Sequence, residues 1–348
     1  MYICKMKKTD QIKKLYSSLT SSSKTELLDE LLVIHEQEGV LLDEAREEVS
    51  QKQKNKPCPH CGNIHVYKRG IKNGVQSYSC KSCGKWYRET TGTPLYNIQL
   101  KEKWQSYLGL MEKGIPIKKI AKELDISIQT SFDWRHKILS SLEQFVPKEL
   151  TDTVECDELE LSLSNKGEHN LTRKPRRRAN DFKRNKNKEE VSTVQVITAV
   201  ERDTGNKFFR VVETKRLSKE QIAKALDGKI ADGTTLITDK HYSYLSYTKD
   251  NDTITHKRLL AKEHVDKRNK NIHLQKVNNV HSQVRDFIRP FNGVSSKYLQ
   301  NYLNWYAYQD KIRNSKTTLK MWFIAILLSS NAYSIHRLFK LNEMVIRT

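Results

Sequence analysis

Thr153-Val154-Glu155-Cys156-Asp157-Glu158 is the stretch on which the chain turns. Before it, apolar residues recur at helical spacing; from Thr151 onward the period drops to two. The stretch predicts a short strand over 153–157 that leaves the core carrying adjacent acids.

Further strands follow. Residues 191–200 and 206–213 read as a hairpin turning at Gly205, and Ser218 caps a helix through Ile222, Ala223 and Leu226. Thr235-Leu236-Ile237-Thr238 closes a fourth strand that ends at Asp239, and 253–258 makes a fifth. A helix over 278–288 carries Asn278-Asn279-Val280-His281-Ser282. Three strands, a helix, two strands and a helix is the order of an RNase H-like sheet, expected here over 150–295. Within it, 164–190 is a polar insertion: 173–188 holds nine bases, among them Arg173, Lys174, Arg176, Arg177 and Arg178, against Asp181 alone. Such a run is solvated and gains order on phosphate. Residues 296–348 predict C-terminal helices, aromatic at Tyr298, Tyr302, Trp305 and Tyr306.

Upstream, 101–145 predicts a helix-turn-helix. Trp104, Tyr107, Leu108 and Met111 line one helix, and Gly114-Ile115-Pro116 ends it. Ile117, Ile120, Ala121 and Leu124 line a second, and Ser127 caps a third. Gln129, Thr130, Ser131, Asp133, Arg135 and Lys137 are read as the exposed face of a recognition helix, with Gln129, Thr130, Arg135 and Lys137 meeting DNA. Phe132 and Trp134 are read as core.

Residues 56–90 carry Cys58-Pro-His-Cys61 and Cys80-Lys-Ser-Cys83, two C-x2-C knuckles eighteen residues apart. In a reducing compartment that spacing reads as a structural Zn²⁺ site in a ribbon, not as disulfides. Residues 1–50 predict a helical region with no visible chemistry. The fold class is therefore multidomain α+β: zinc ribbon and helix-turn-helix, then an RNase H-like α/β catalytic domain.

Composition narrows the partners. Lys and Arg number 62 against 41 Asp and Glu, a net charge of +21, which calls for a polyanion. The longest apolar run, Met321 to Leu328, is too short for a bilayer, and the start lacks a secretory core. Cytoplasmic, nucleoid-associated residence and double-stranded DNA are the expectations; a membrane is not.

Two-metal phosphodiester chemistry needs carboxylates converging on divalent ions. Asp157 and Asp239, at the ends of neighbouring strands, are the expected pair.

The cysteine motifs, Trp134-Arg135-His136-Lys137, Glu155-Cys156-Asp157-Glu158, Thr172-Arg173-Lys174-Pro175-Arg176, Leu236-Ile237-Thr238-Asp239 and Phe291-Asn292-Gly293-Val294-Ser295 stand in family order. Over about residues 55 to 310 the chain resembles bacterial insertion-sequence transposases with a zinc ribbon and an ISXO-two-like DDE domain. The resemblance implies binding of terminal repeats and target DNA, and Mg²⁺- or Mn²⁺-dependent cleavage and strand transfer. It implies that Asp157 and Asp239 are the first two catalytic acids, and that His281 stands where the third, usually Glu, belongs. Asn278, three residues before His281, can share the metal, while Arg285 and Arg289 suit phosphate. A homodimer or larger oligomer on DNA is expected. Two other classes fit parts of the pattern: a zinc-ribbon, helix-turn-helix regulator without metal-binding acids, and an RNase H-like nuclease or resolvase that cuts without joining.

Overall fold

The computed structural model describes residues 8–24, 57–72, 75–94, 103–168, 193–212, 217–260 and 265–313, with isolated positions besides. Helix α1 (Lys8–Ser18) begins it. Most of the helical reading of 25–50 lies outside the described residues, as do the bases at 173–178 and the apolar run 321–328 save Trp322.

The ribbon is an antiparallel sheet of β1 (Val66–Lys72), β2 (Val75–Cys80) and β3 (Trp86–Arg88), in that order. Three helices follow: α2 (Trp104–Glu112), α3 (Ile117–Glu123) and α4 (Ile128–Ser140). Gly114, at φ +72°, supplies the left-handed turn after α2. Ser127 caps α4 as expected, its side chain accepting the Thr130 N–H at 2.9 Å.

The larger sheet runs β6-β5-β4-β7-β8, built from β4 (Thr153–Ser162), β5 (Thr193–Glu201), β6 (Lys207–Val212), β7 (Thr235–Asp239) and β8 (Thr255–Leu259). β4, β5 and β6 pair antiparallel, whereas β7 and β8 join β4 in parallel. Alternation along β4 splits its side chains between two cores. Val154 and Cys156 pack with Ile222, Leu226, Tyr244 and Tyr247 from helices α5 (Lys219–Leu226) and α6 (Tyr242–Lys249). Leu159 packs with Val277, Val280, Val284, Leu299 and Leu303 from α7 (Gln275–Ile288) and α8 (Leu299–Ile312). The result is a mixed sheet between two helical layers.

Three expectations change. The strand read over 153–157 is ten residues long, because Leu159 and Leu161 extend the ladder opposite Val196 and Val194. Asp157 therefore sits in mid-strand. Helix α6 was not anticipated; the serines and tyrosines of 242–249 hide their period, and Tyr244 and Tyr247 nonetheless bury. The helix-turn-helix is not a free unit. Trp104, Tyr107, Met111 and Trp134 share one core with Phe291, Tyr302, Trp305, Tyr308 and Ile312. Among the described residues, no helix is long and apolar enough to cross a membrane.

Candidate metal centres

Among the described residues, two groups of side chains bring potential ligand atoms within 4.8 Å of one another: Cys58, Cys61, Cys80 and Cys83, and Asp157, Glu158 and Asp239.

The cysteine group is built twice from one turn. The Gly62 N–H donates to the Cys58 carbonyl at 2.8 Å, and the Gly84 N–H to the Cys80 carbonyl at 3.1 Å. Each closure needs positive φ, which Gly62 (+75°) and Gly84 (+67°) supply. The turns aim the sulfurs together: Cys58 to Cys83 is 3.8 Å and Cys61 to Cys80 is 3.5 Å. Backbone N–H groups, Cys83's foremost, lower the Cys80 thiol to about 7, toward the thiolate a metal requires. Four converging sulfurs match a tetrahedral metal site.

The acidic group depends on the large sheet. β7 pairs with β4 only over Thr153–Glu155, so Asp157 and Glu158 lie beyond the last paired residue on that side. Alternation starts these two side chains on opposite faces, yet at this open edge their carboxylates meet Asp239 from the end of β7. The His241 N–H donates to Asp239 Oδ1 at 2.9 Å and fixes that carboxylate. Burial, then the charges of Asp157 and Asp239, push Glu158 up to about 8. Burial raises Asp157 too, with Asp239 adding to it. Glu158 Oε1 is buried without a hydrogen-bond partner. Crowded carboxylates with an unsatisfied buried oxygen fit a hard divalent cation, which would neutralise them and take up that oxygen.

Residues 149–310, which contain this site, match the sequence model of the ISXO2-like transposase domain. The chain is also 24% identical over 250 residues to an uncharacterised protein in transposable element ISH50 of Halobacterium salinarum, covering 71% of this chain and 82% of that protein. Among solved structures it is similar to a chain of the pre-cleavage Mos1 transpososome, with TM-score 0.29 and 10% identity over 70% of this chain and 80% of that one. It is likewise similar to a chain of the simian T-cell lymphotropic virus intasome in complex with PP2A regulatory subunit B56 gamma, with TM-score 0.29 and 8% identity over 57% and 66%.

Within the matched segment, His281 lies on the buried face of α7, 5% exposed, with Nε2 lacking a partner. It is not one of the clustered ligand atoms. Burial, with Arg285 nearby, lowers it to about 4, so it is neutral at physiological pH. Asn278 and Arg285 are exposed on the same helix, and exposed Arg289, just past its end, bonds Asp286 at 2.5 Å.

Glu155 has a function that sequence reasoning missed. Fully buried on β4, its Oε2 accepts the N–H groups of Lys276 (2.8 Å) and Val277 (3.1 Å), in the first turn of α7. Its Oε1 meets Arg202 Nε at 2.7 Å and His273 Nδ1 at 3.2 Å, and Arg202 also donates to the His273 carbonyl at 2.8 Å. A carboxylate two residues before Asp157 thus pins the N-terminus of the helix that bears His281. An acid at an inward position of a buried strand was the available signal.

Of the residues assigned to DNA on α4, Gln129 is exposed, and Thr130 and Lys137 are half-buried. Arg135 and Ser131 are corrections, each 0% exposed. Arg135 Nη2 donates to the Ile115 carbonyl at 2.8 Å, and its guanidinium lies 4.9 Å from the Trp305 ring and 5.8 Å from Phe291. It joins α4 to α8 and does not face DNA.

Proposed function

We propose that this chain is the transposase of an insertion sequence, binding the element's terminal repeats and joining them to target DNA by metal-dependent strand cleavage and strand transfer. The observation that carries the reading is the convergence of Asp157, Glu158 and Asp239 within 4.8 Å, inside a segment matching a transposase domain. In this reading the sheet is an RNase H-like catalytic sheet, of the DDE type in its two aspartates.

Asp157 and Asp239 hold Mg²⁺ or Mn²⁺, with Glu158 as the third carboxylate. Bound there, two such ions would activate water or a 3′-hydroxyl and neutralise the leaving oxygen. His281 remains the nitrogen ligand offered from α7, supported by its buried, unpartnered Nε2; Asn278 is exposed beside it. Zn²⁺ in the four-cysteine site keeps the ribbon folded. Gln129, Thr130 and Lys137 on α4, Arg285 on α7, Arg289 just after it, and the 173–178 bases contact DNA. The protein works as a dimer or larger oligomer on DNA in the cytoplasm, associated with the nucleoid.

The test incubates purified protein with labelled terminal-repeat ends, a plasmid target and Mg²⁺ or Mn²⁺. Joined product is expected from the native protein, and none from Asp157→Ala or Asp239→Ala although both still bind DNA. Cutting without joining would make the protein a nuclease or resolvase. DNA binding with no metal-dependent chemistry would make it a regulator. Near-normal joining by His281→Ala would remove that residue from the ligand set.

A further inference from the structure

The ribbon carries a face that the metal does not explain. Register places Tyr67 opposite Ser79, and Ser79 opposite Trp86, so the three form one row across β1, β2 and β3. Tyr67 is 49% and Trp86 65% exposed, although neighbouring strands offer such rings ample chance to pack. Arg69 lies between them, 5.2 Å from the Tyr67 ring and 5.5 Å from the Trp86 ring. Its Nε donates to Ser79 Oγ at 2.8 Å, which fixes the guanidinium in place. Lys81 Nζ stands 4.6 Å from the centre of the Tyr67 ring. On the opposite face Tyr78 and Tyr87 stack on each other, 5.3 Å between centroids, and are half-buried. One face has therefore closed on itself, and the other presents two rings with cations set between and beside them.

We infer that this face is a stacking platform for unpaired DNA bases, with Tyr67 and Trp86 each taking a base and Arg69 and Lys81 taking the phosphates between them. Charge selects a polyanion: residues 57–88 hold six Lys and Arg and no Asp or Glu. The rings select its state. An intact duplex offers phosphates outward and hides its base faces, so exposed aromatics gain nothing from it along its length. Unpaired nucleotides offer a π-face at every base, whatever the sequence. Two strands' separation puts the rings about 10 Å apart, within reach of nearby nucleotides on one strand. The inference rests on the proposed function only in taking DNA as the partner. Opened or nicked element ends would supply such a strand.

Trp86 makes the test direct. Trp104, Trp134, Trp305 and Trp322 are all buried, 5% exposed or less, so Trp86 dominates the fluorescence a ligand can quench. The full zinc-loaded chain is titrated with a twelve-nucleotide oligothymidylate and, separately, with relaxed closed circular duplex. The oligonucleotide should quench the emission and the duplex should leave it unchanged. Trp86→Leu should remove the quench and weaken oligonucleotide binding about tenfold, the loss of one stacked base. Its duplex affinity and zinc content should stay at the native level. Trp86→Phe should restore most of the binding, and Tyr67→Leu should reproduce the loss without touching Trp86. Equal quenching by both DNAs, unchanged oligonucleotide binding by Trp86→Leu, or an equal loss for both DNAs would overturn the platform. Joining by Asp157 and Asp239 is measured separately, so a failed platform leaves that reading standing.

Discussion

The two ligand clusters are built by opposite means. In the ribbon, four cysteines between 58 and 83 are aimed by two copies of one glycine-closed turn. In the large sheet, three carboxylates from strands far apart in the chain are forced together by a ladder, two helical layers and a buried acid that anchors α7. On the proposed function, zinc would hold the first cluster's ribbon together. The second is held by the ladder and helices around it, and the mutual repulsion of its carboxylates works against that packing. Ligand chemistry thus supports structure in one region and opposes it in the other.

Zinc removal is the largest expected break in this comparison. Chelation, or Cys80→Ser, should forfeit most of the roughly 10–16 kcal/mol that thiolate zinc sites contribute to small domains. Limited proteolysis should then cut within 57–94 while the large sheet stays protected and melts as before. Equal protection of the ribbon with and without zinc would erase the contrast.

Next comes the anchor of the acidic site. Glu155→Ala leaves half-buried Arg202 without its carboxylate and the first turn of α7 without an acceptor, and should cost about 3–5 kcal/mol in denaturant unfolding. Glu155→Gln should recover part of this, because one amide oxygen can still accept from the helix. A loss under 1 kcal/mol would show that α7 is held by its apolar face alone.

Arg135 sharpens the boundary between the halves. Arg135→Ala loses the Ile115 hydrogen bond and the contact with Trp305, about 2 kcal/mol together. Relative affinities for different DNA sequences, measured on the folded fraction, should not change. Truncation near residue 150 would strip α8 from Trp104 and Trp134, so the helices alone should expose apolar surface and aggregate.

The smallest effect has the opposite sign. Glu158 is raised from an ordinary carboxylate value to about 8, so in the metal-free protein its contribution to stability is greatest below about 4.5 and falls as pH rises to about 8. Glu158→Gln should flatten that fall and stabilise the metal-free protein by about 1–2 kcal/mol near pH 8. Thermal melts across pH 5–9 in chelator would check this, and a destabilised variant would contradict the idea of strained acids.

The contrast between the clusters also explains what could be read in advance. Cysteine spacing is local, so the ribbon site was legible whole, as were the three helices after it and the order of strands. Asp239 was legible because it ends β7, whereas Asp157 was singled out as a strand end and lies instead in mid-strand, just past the last β7-paired residue. Glu158 was not: alternation sends it to the other face, and only the end of β7 pairing at Glu155 leaves an edge where the two faces meet. Arg135 was misread because helical periodicity does not reveal that Trp305, far along the chain, covers that side of α4. Glu155 was quoted within the deciding stretch, but its helix partner starts at Gln275, a distance that only the fold closes.

The central claim is that the converged acids bind a divalent ion, and Mn²⁺ binding followed by electron paramagnetic resonance on zinc-loaded protein tests it most directly. Native protein should take up Mn²⁺ with an affinity that rises from pH 6.5 to 8.5, as the proton held by the crowded carboxylates is displaced. Asp157→Ala and Asp239→Ala should each abolish that uptake while zinc content holds and the metal-free protein melts no lower than the native one. Undiminished Mn²⁺ binding in both variants would contradict the account.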